Sequence, residues 1–311
     1  MQVLIAGGAG EVGQALVKDL SEKGHEIVVL DKALEASQTV RDTGITYLRA
    51  DITNRIQVNE AVQGQDVIIH LAWSFADDPS SVFGEDIKGH INLLEAASSA
   101  GIRSFIYTST ATVYGRPVLH PVHETHPCVS VDARKPLYAL GKYTAEELCK
   151  FYHKERGLPT TVFRFWWAFG DTIGGRHLRD LIRKSLKRQR LEVVRGAGGA
   201  FVTMADLCSA IFSVTTRPAS AGQVYNVGSL FLTWEEIGRM IVDLTQSNSP
   251  ISFVPSDEWS GPAFLNENWD LNWDKAESEL GYKPGASVEK MRSLFKDALR
   301  DCVDRVKKEG T

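Results

Sequence analysis

Val3-Leu4-Ile5-Ala6-Gly7-Gly8-Ala9-Gly10-Glu11-Val12-Gly13 is the stretch on which the fold turns. Four apolar residues make a strand-like run, and glycines take over where it ends. The spacings Gly8-x-Gly10-x-x-Gly13 and Gly7-x-x-Gly10-x-x-Gly13 both hold. Behind them Val12, Leu16 and Leu20 recur every fourth residue, an apolar stripe on one helix face that Gly24 stops. A glycine turn lets backbone approach a pyrophosphate closely, and the helix start aims unpaired N–H groups and a positive dipole end at it. Glycine clusters also make ordinary turns, so the reading needs an acid further along. Asp31 supplies it at the end of the next apolar run, where a carboxylate accepts both hydroxyls of an adenosine ribose and repels a 2′-phosphate. The cofactor this predicts is NAD. Lys32 follows at once and is able in principle to meet such a phosphate. Asp51-Ile52, after the third run, fits an adenine edge or a plain turn aspartate equally well.

Outward from that unit, apolar runs at residues 3–6, 26–30, 45–49, 66–71, 103–109 and 160–164 alternate with helical patterns at 11–23, 55–62, 85–100 and 138–156. This alternation predicts an α/β protein with a Rossmann-type, doubly wound parallel sheet. The second half is less regular. Helices are expected at 177–190, 203–216, 234–245 and 288–308, with interruptions at Gly196 to Gly199 and around Pro250 to Pro262. We therefore expect a dinucleotide-binding domain over residues 1–168 and a smaller C-terminal substrate-binding lobe over 169–311, with 203–228 able to return to the first. No internal repeat or low-complexity tether separates the two.

The chain has 311 residues, 43% hydrophobic and 24% charged, a balance that excludes disordered and fibrous classes. A net charge of −4 gives no general basic surface for nucleic acid, and the cationic stretch from Arg179 to Arg190 reads as a solvated helix face. Cys128, Cys149, Cys208 and Cys302 lack metal-ligand or disulfide spacing, so no metal is expected. With no cationic leader and no membrane-length apolar run, the expectation is a cytoplasmic protein without a membrane partner.

Tyr138-Ala139-Leu140-Gly141-Lys142 sets a phenol and an ammonium one helical turn apart on one face. A free tyrosine has a pKa of about 10. A neighbouring cation favours its phenolate and brings it toward use as an acid/base. The pair takes its meaning from what precedes it, a fifth run ending in hydroxyls: Phe105-Ile106-Tyr107-Thr108-Ser109-Thr110-Ala111-Thr112-Val113-Tyr114-Gly115.

With these residues the chain resembles the NAD-dependent epimerase/dehydratase branch of the extended short-chain dehydrogenases. Further points of likeness are His70-Leu71-Ala72, Asn92-Leu93-Leu94-Glu95-Ala96, Tyr225-Asn226-Val227-Gly228 and Leu280-Gly281-Tyr282. The resemblance implies Thr110 as the catalytic hydroxyl residue, Tyr138 as acid/base and Lys142 as its partner and holder of the nicotinamide ribose. It implies Leu71, Ala72 and Trp73 along the nicotinamide side, Thr108 beneath the ring and Phe165 nearby. Core packing accounts for Leu71 and Ala72 equally well. It also implies a sugar-like substrate and a homodimer built on the helices at 85–100 and 138–156.

Dehydratases of the family resemble Thr-Asp-Glu at the strand end, whereas this chain has Thr110-Ala111-Thr112, closer to sugar-nucleotide 4-epimerases in which the residue matching Thr112 touches the hexose. Two positions depart from the sugar-nucleotide pattern. Trp167 stands where an Asn grips the diphosphate, and Gly199 stands where an Arg does. Asp86 also replaces a usual Asn. Trp73, Trp166, Trp167, Phe169 and Phe201 are candidates for an aromatic pocket lining, or for interlobe core. His70 and His177 read as structural. The open alternatives are an epimerase, a plain dehydrogenase of a free sugar or related alcohol, and an NAD-sensing module without turnover.

Overall fold

The computed structural model describes residues 1–35, 38–40 and 44–309. In chain order the first half comprises β1 (Gln2–Ala6), α1 (Glu11–Glu22), β2 (Glu26–Asp31), β3 (Gln38–Val40), β4 (Ile45–Arg49), α2 (Arg55–Val62) and β5 (Val67–His70). A helical turn α3 (Pro79–Ser81) and a π-helical turn, Val82–Ile87, lead into α4 (Lys88–Ala100), followed by β6 (Ser104–Thr108), α5 (Pro136–Arg156) and β7 (Thr160–Arg164). The second half comprises β8 (Trp167–Phe169), α6 (Arg176–Leu186), β9 (Leu191–Val194), β10 (Gly198–Thr203), α7 (Met204–Ser213), β11 (Gln223–Asn226) and β12 (Leu230–Thr233). It ends with α8 (Trp234–Thr245), β13 (Ile251–Val254), β14 (Asn268–Trp269), α9 (Asp274–Leu280) and α10 (Val288–Glu309).

The main sheet runs β11-β7-β6-β5-β1-β2-β4-β3, and all its pairings are parallel except that of β3 with β4. Both faces are covered, as a parallel sheet requires, so β5, β6 and β7 are buried along their whole length. Leu16 and Leu20 of α1, Leu207 and Ile211 of α7 and Leu280 of α9 cover one face. Val58 of α2, Leu93 and Leu94 of α4, and Ala145 and Cys149 of α5 cover the other. The alternation of runs therefore reads correctly through residue 164, and β11 joins the same sheet from later in the chain.

β1 leads to β2 and β4 on one side, while β5, β6 and β7 build outward on the other. The chain reverses direction between β1 and β5, and crevices beyond the carboxyl ends of strands at such a switch are where parallel α/β sheets bind ligands. Gly7 sits at that point with φ +86°, and a Cβ there would lie 2.4 Å from the backbone nitrogen of Ala72. A side chain on Gly13 would strike the Gly8 backbone at 2.5 Å. These glycines let helix, turn and neighbouring strand close together.

The second lobe is organised on β10, which pairs with β8, β12 and β14, around a core that includes Phe169, Phe201, Trp234 and Phe295. Here the expected interruption at Gly196 to Gly199 is overturned in part, since Gly198 and Gly199 open a strand. A Cβ on Gly198 would lie 2.2 Å from the Leu232 carbonyl oxygen, and one on Gly199 would lie 2.2 Å from the Trp166 ring. Glycine marks close packing at these positions, not a turn. Among the described residues no helix is long and apolar enough to cross a membrane.

Candidate active site

One continuous cleft opens along the carboxyl ends of β1, β2, β5 and β6. The half beside Asp31, about 210 Å³, is lined by Gly7, Gly10, Asp31, Lys32, Asp51, Ile52, Leu71, Ala72 and Trp73 among others. The adjoining half, about 350 Å³, is lined by Gly7, Gly10, Glu11, Val12, Gly13, Leu71, Thr108, Thr110, Tyr138, Lys142, Phe165 and Trp166. Every residue expected to contact the cofactor lies on this cleft.

Asp31 ends β2 with its Oδ2 accepting the Ala9 N–H at 3.0 Å and its Oδ1 accepting the Ala33 N–H at 2.9 Å. A carboxylate has about four acceptor sites, so two remain for ribose hydroxyls while the same group holds the glycine turn in shape. Lys32 does not stand free to meet a phosphate: its Nζ pairs with Glu85 at 3.1 Å. Asp51 accepts the Thr53 N–H at 2.8 Å, as a turn aspartate does, and lines the cleft. The open glycine cradle and the unfilled acceptors of Asp31 fit a dinucleotide.

In the other half, α5 begins at Pro136 and brings Tyr138 and Lys142 to the cleft from the same face. Lys142 is buried. Its Nζ donates to the Thr108 carbonyl at 2.9 Å and lies 4.3 Å from the Trp73 ring centroid, a cation–π contact. Burial lowers its pKa to about 7, against the pull of Asp86 and Glu146. Burial pushes the Tyr138 phenol up, and a hydrogen bond with the Thr110 hydroxyl is the largest influence holding it down. Desolvation dominates both groups, and Thr110 is Tyr138's direct partner. Thr110 Oγ1 lies 3.0 Å from Thr112 Oγ1.

Two buried supports hold these residues. Glu146, one further turn along α5, accepts the Ser109 hydroxyl and forms a buried ion pair with Arg164 of β7. Beneath Ala72, His70 Nδ1 meets His90 Nδ1 at 2.9 Å, His70 Nε2 meets the Ala72 carbonyl at 3.1 Å, and His90 Nε2 meets the Ala145 carbonyl at 3.0 Å. Burial lowers both imidazoles, His90 to about 3, so both are neutral and carry two ring protons for three contacts. The Cys149 thiol lies 3.6 Å from His90 Nε2. His70 is structural, as expected.

Beside Tyr138 lies a chamber of about 230 Å³ lined by Phe75, Thr110, Thr112, Arg134, Lys135, Tyr138, Trp166, Phe264, Glu267 and Trp269. Thr110, Thr112 and Trp166 line this chamber, and the candidates Ala111, Trp167, Phe201 and Trp73 do not. Phe201 is 0% exposed, locked between Trp166, Trp167, Phe169 and Phe295. Ala111 is also fully buried, its methyl group in a small core with Val113, Tyr114 and Trp269. Trp167 packs on Phe201, Phe264 and the Cβ-less face of Gly175 instead of lining the chamber. Trp73 lies under the Lys142 ammonium on the cofactor cleft. Unforeseen were Phe75, Arg134, Lys135, Phe264, Glu267 and Trp269. Arg134-Lys135, immediately ahead of α5 and within four residues of Tyr138, was a usable signal; Phe264 to Trp269 gave none. Asp86, left without a role by sequence, is buried and accepts the Ser74 N–H at 2.9 Å and the Ser74 hydroxyl at 2.7 Å, fixing the cleft wall next to Trp73. Among the described residues no cluster of His, Cys, Asp or Glu is arranged to hold a metal ion.

A model of the NAD dependent epimerase/dehydratase family matches residues 3–228. The chain belongs to that family. Its cofactor is NAD. UDP-glucuronic acid decarboxylase 1 of Danio rerio is 29% identical over 267 residues, covering 82% of this chain and 63% of the relative. UDP-glucose 4-epimerase of Rhizobium leguminosarum bv. trifolii is 31% identical over 181 residues, 56% of this chain and 54% of that one. The chain thus spans less than two thirds of either protein's length. Among solved structures, UDP-glucuronic acid 4-epimerase from Bacillus cereus, in complex with UDP-glucuronic acid and NAD, superposes with a TM-score of 0.77 at 22% identity over 99% of both chains. A dTDP-glucose 4,6-dehydratase from Streptomyces venezuelae with NAD bound gives 0.77 at 25% identity, over 99% of this chain and 97% of that one.

Proposed function

We propose that this family member removes hydride and a proton from a secondary hydroxyl of a sugar or sugar nucleotide, using Tyr138, Lys142 and Thr110. The observation that carries the reading is that Tyr138 and Thr110 line both the nicotinamide-side cleft and the substrate chamber, with Lys142 behind them. Bound NAD supplies the hydride acceptor. Tyr138 takes the hydroxyl proton at its phenolic oxygen, Thr110 orients the hydroxyl, and Lys142 stabilises the phenolate when charged. Gly7, Gly10 and Gly13 would cradle the pyrophosphate, Asp31 would hold the adenosine ribose and Lys142 the nicotinamide ribose.

The relatives' names point to nucleotide-linked sugars. Against an ordinary diphosphate grip, Trp167 and Gly199 replace the Asn and Arg of that pattern, and Trp166 fills the space a side chain at 199 would need. A buried diphosphate needs several charge-assisted partners. This favours a second reading, net dehydrogenation, because an epimerase must retain its ketone while the other face is presented and a diphosphate tether is one way to do so. Exposed Ile91 on α4 and Phe151 on α5 support a homodimer through those helices.

Tyr138→Phe tests the chemistry. It should abolish NAD reduction with an authentic substrate and leave NAD affinity nearly intact, since only the titrating oxygen is lost. An unchanged rate would assign the base elsewhere.

A further inference from the structure

The chamber beside Tyr138 has a second polar wall, supplied from the far end of the chain. Glu267 immediately precedes β14, where Asn268 pairs with Gly198 of β10, and the Gly198 N–H donates to the Glu267 carbonyl at 3.0 Å. The backbone carrying this carboxylate is therefore fixed to a sheet. Its Oε2 accepts the Trp269 indole N–H at 2.9 Å. Its Oε1 lies 4.0 Å from Arg134 Nε, too far for a hydrogen bond. The Arg134 guanidinium lies 5.0 Å from the Phe264 ring centroid, and that ring stacks on Trp166 at 5.4 Å.

The Glu267 side chain is only 11% exposed, and a carboxylate so enclosed needs more than one donor. Burial pushes its carboxyl up, opposed by the Trp269 bond and by Arg134. Glu267 lines the chamber that Thr110 and Tyr138 also line, and borders a neighbouring cavity with Arg116. An acceptor-only plane and a donor-only plane beside an aromatic wall match a sugar ring: hydroxyls donate to the first and accept from the second, and the C–H face stacks.

We propose that Glu267 and Arg134 are specificity-determining residues that together hold neighbouring hydroxyls of an uncharged sugar ring against Trp166 and Phe264. This rests on the sugar reading above and names the class: a neutral ring at this end, not a uronate. A carboxylate-bearing ring would bring its charge against Glu267.

The test is calorimetric binding of methyl glucoside, methyl galactoside, their monodeoxy analogues and glucuronate to protein saturated with NADH, so that no alcohol is oxidised. NADH fluorescence checks that each variant retains its cofactor. Glu267→Gln keeps the shape and the Trp269 contact. It should weaken the preferred glycoside about ten-fold or more, the scale of a hydrogen bond to a charged group. It should do so much less for one deoxy analogue lacking the held hydroxyl. Arg134→Lys should show the same selectivity toward an analogue. Equal losses across the deoxy series, no loss, no sugar binding, or glucuronate binding that tightens in Glu267→Gln would each overturn the proposal. Selective binding in a protein that never reduces NAD would instead sink the proposed chemistry and leave this grip standing. Turnover of a sugar nucleotide indifferent to Glu267→Gln would do the reverse.

Discussion

Replacing Lys142 by Met removes an ammonium from the interior and keeps an unbranched stem in its place. Lys142 is 4% exposed, and burial lowers its pKa from 10.5 to about 7, with Asp86 and Glu146 opposing. Between those values the unfolded chain binds the proton more readily than the folded one, so wild-type stability rises with pH across the window. The burden is full at and below about pH 7 and gone above pH 10.5. One proton's difference corresponds to about 1.4 kcal/mol per pH unit, so from pH 7 to 10 wild type should gain about 3 to 4 kcal/mol on Lys142→Met. At pH 7 the cofactor-free Met variant is therefore expected to be the more stable protein, although hydride transfer is lost at every pH. The Thr108 hydrogen bond and the Trp73 contact reduce that lead, and their loss is part of the measured difference. Urea unfolding of both proteins at pH 7, 8, 9 and 10 isolates the group, because titrations elsewhere cancel in the comparison. A gap that stays constant, or that widens in the variant's favour as pH rises, would show that Lys142 is not held in a depressed state and would remove the basis of this argument.

Asp31→Ala should narrow the preference for NAD over NADP, and tighter NADP binding by wild type in fluorescence titration would reject the role given to Asp31. Gly199→Ala should cost about 1–3 kcal/mol in denaturant unfolding, since its methyl group meets the Trp166 ring. Trp166→Ala should make the same change nearly neutral, and additive losses would contradict the packing. Light scattering at micromolar concentration should give a dimer that Phe151→Glu dissociates; a wild-type monomer would refute the interface.

The dinucleotide half was legible because its signals are local. Gly7 to Gly13 is a turn and helix start within a few residues, Asp31 closes the next strand, and Tyr138 and Lys142 share one helix face. The substrate chamber was not. Phe264, Glu267 and Trp269 come from an irregular segment that β10 and β14 carry to Tyr138, and no periodicity announces a contact made across some 130 positions of sequence. The aromatic candidates divided between chamber and core for a related reason. Phe201 and Trp166 lie two strands apart in sequence, and which of them faces solvent depends on the bare flank of Gly199. Hydrophobicity alone does not separate a pocket wall from the core behind it.

The bridge between Glu146 and Arg164 bears on the angular setting of α5. Tyr138, Lys142 and Glu146 fall at intervals of four along one helix, so they share a bearing around its axis. A helix displaced by one residue would swing each side chain through about 100° and slide it about 1.5 Å. Tyr138 would then leave Thr110, and Lys142 would leave the Thr108 carbonyl. Packing by alanine and glycine, as at Ala139, Gly141 and Ala145, resists such rotation only weakly because small surfaces interlock shallowly. A guanidinium fixed in β7 and engaged by Glu146 through Nε and Nη2 works as a key in a slot, indexing the helix to the sheet about 12 Å along the helix axis from the residue it aligns.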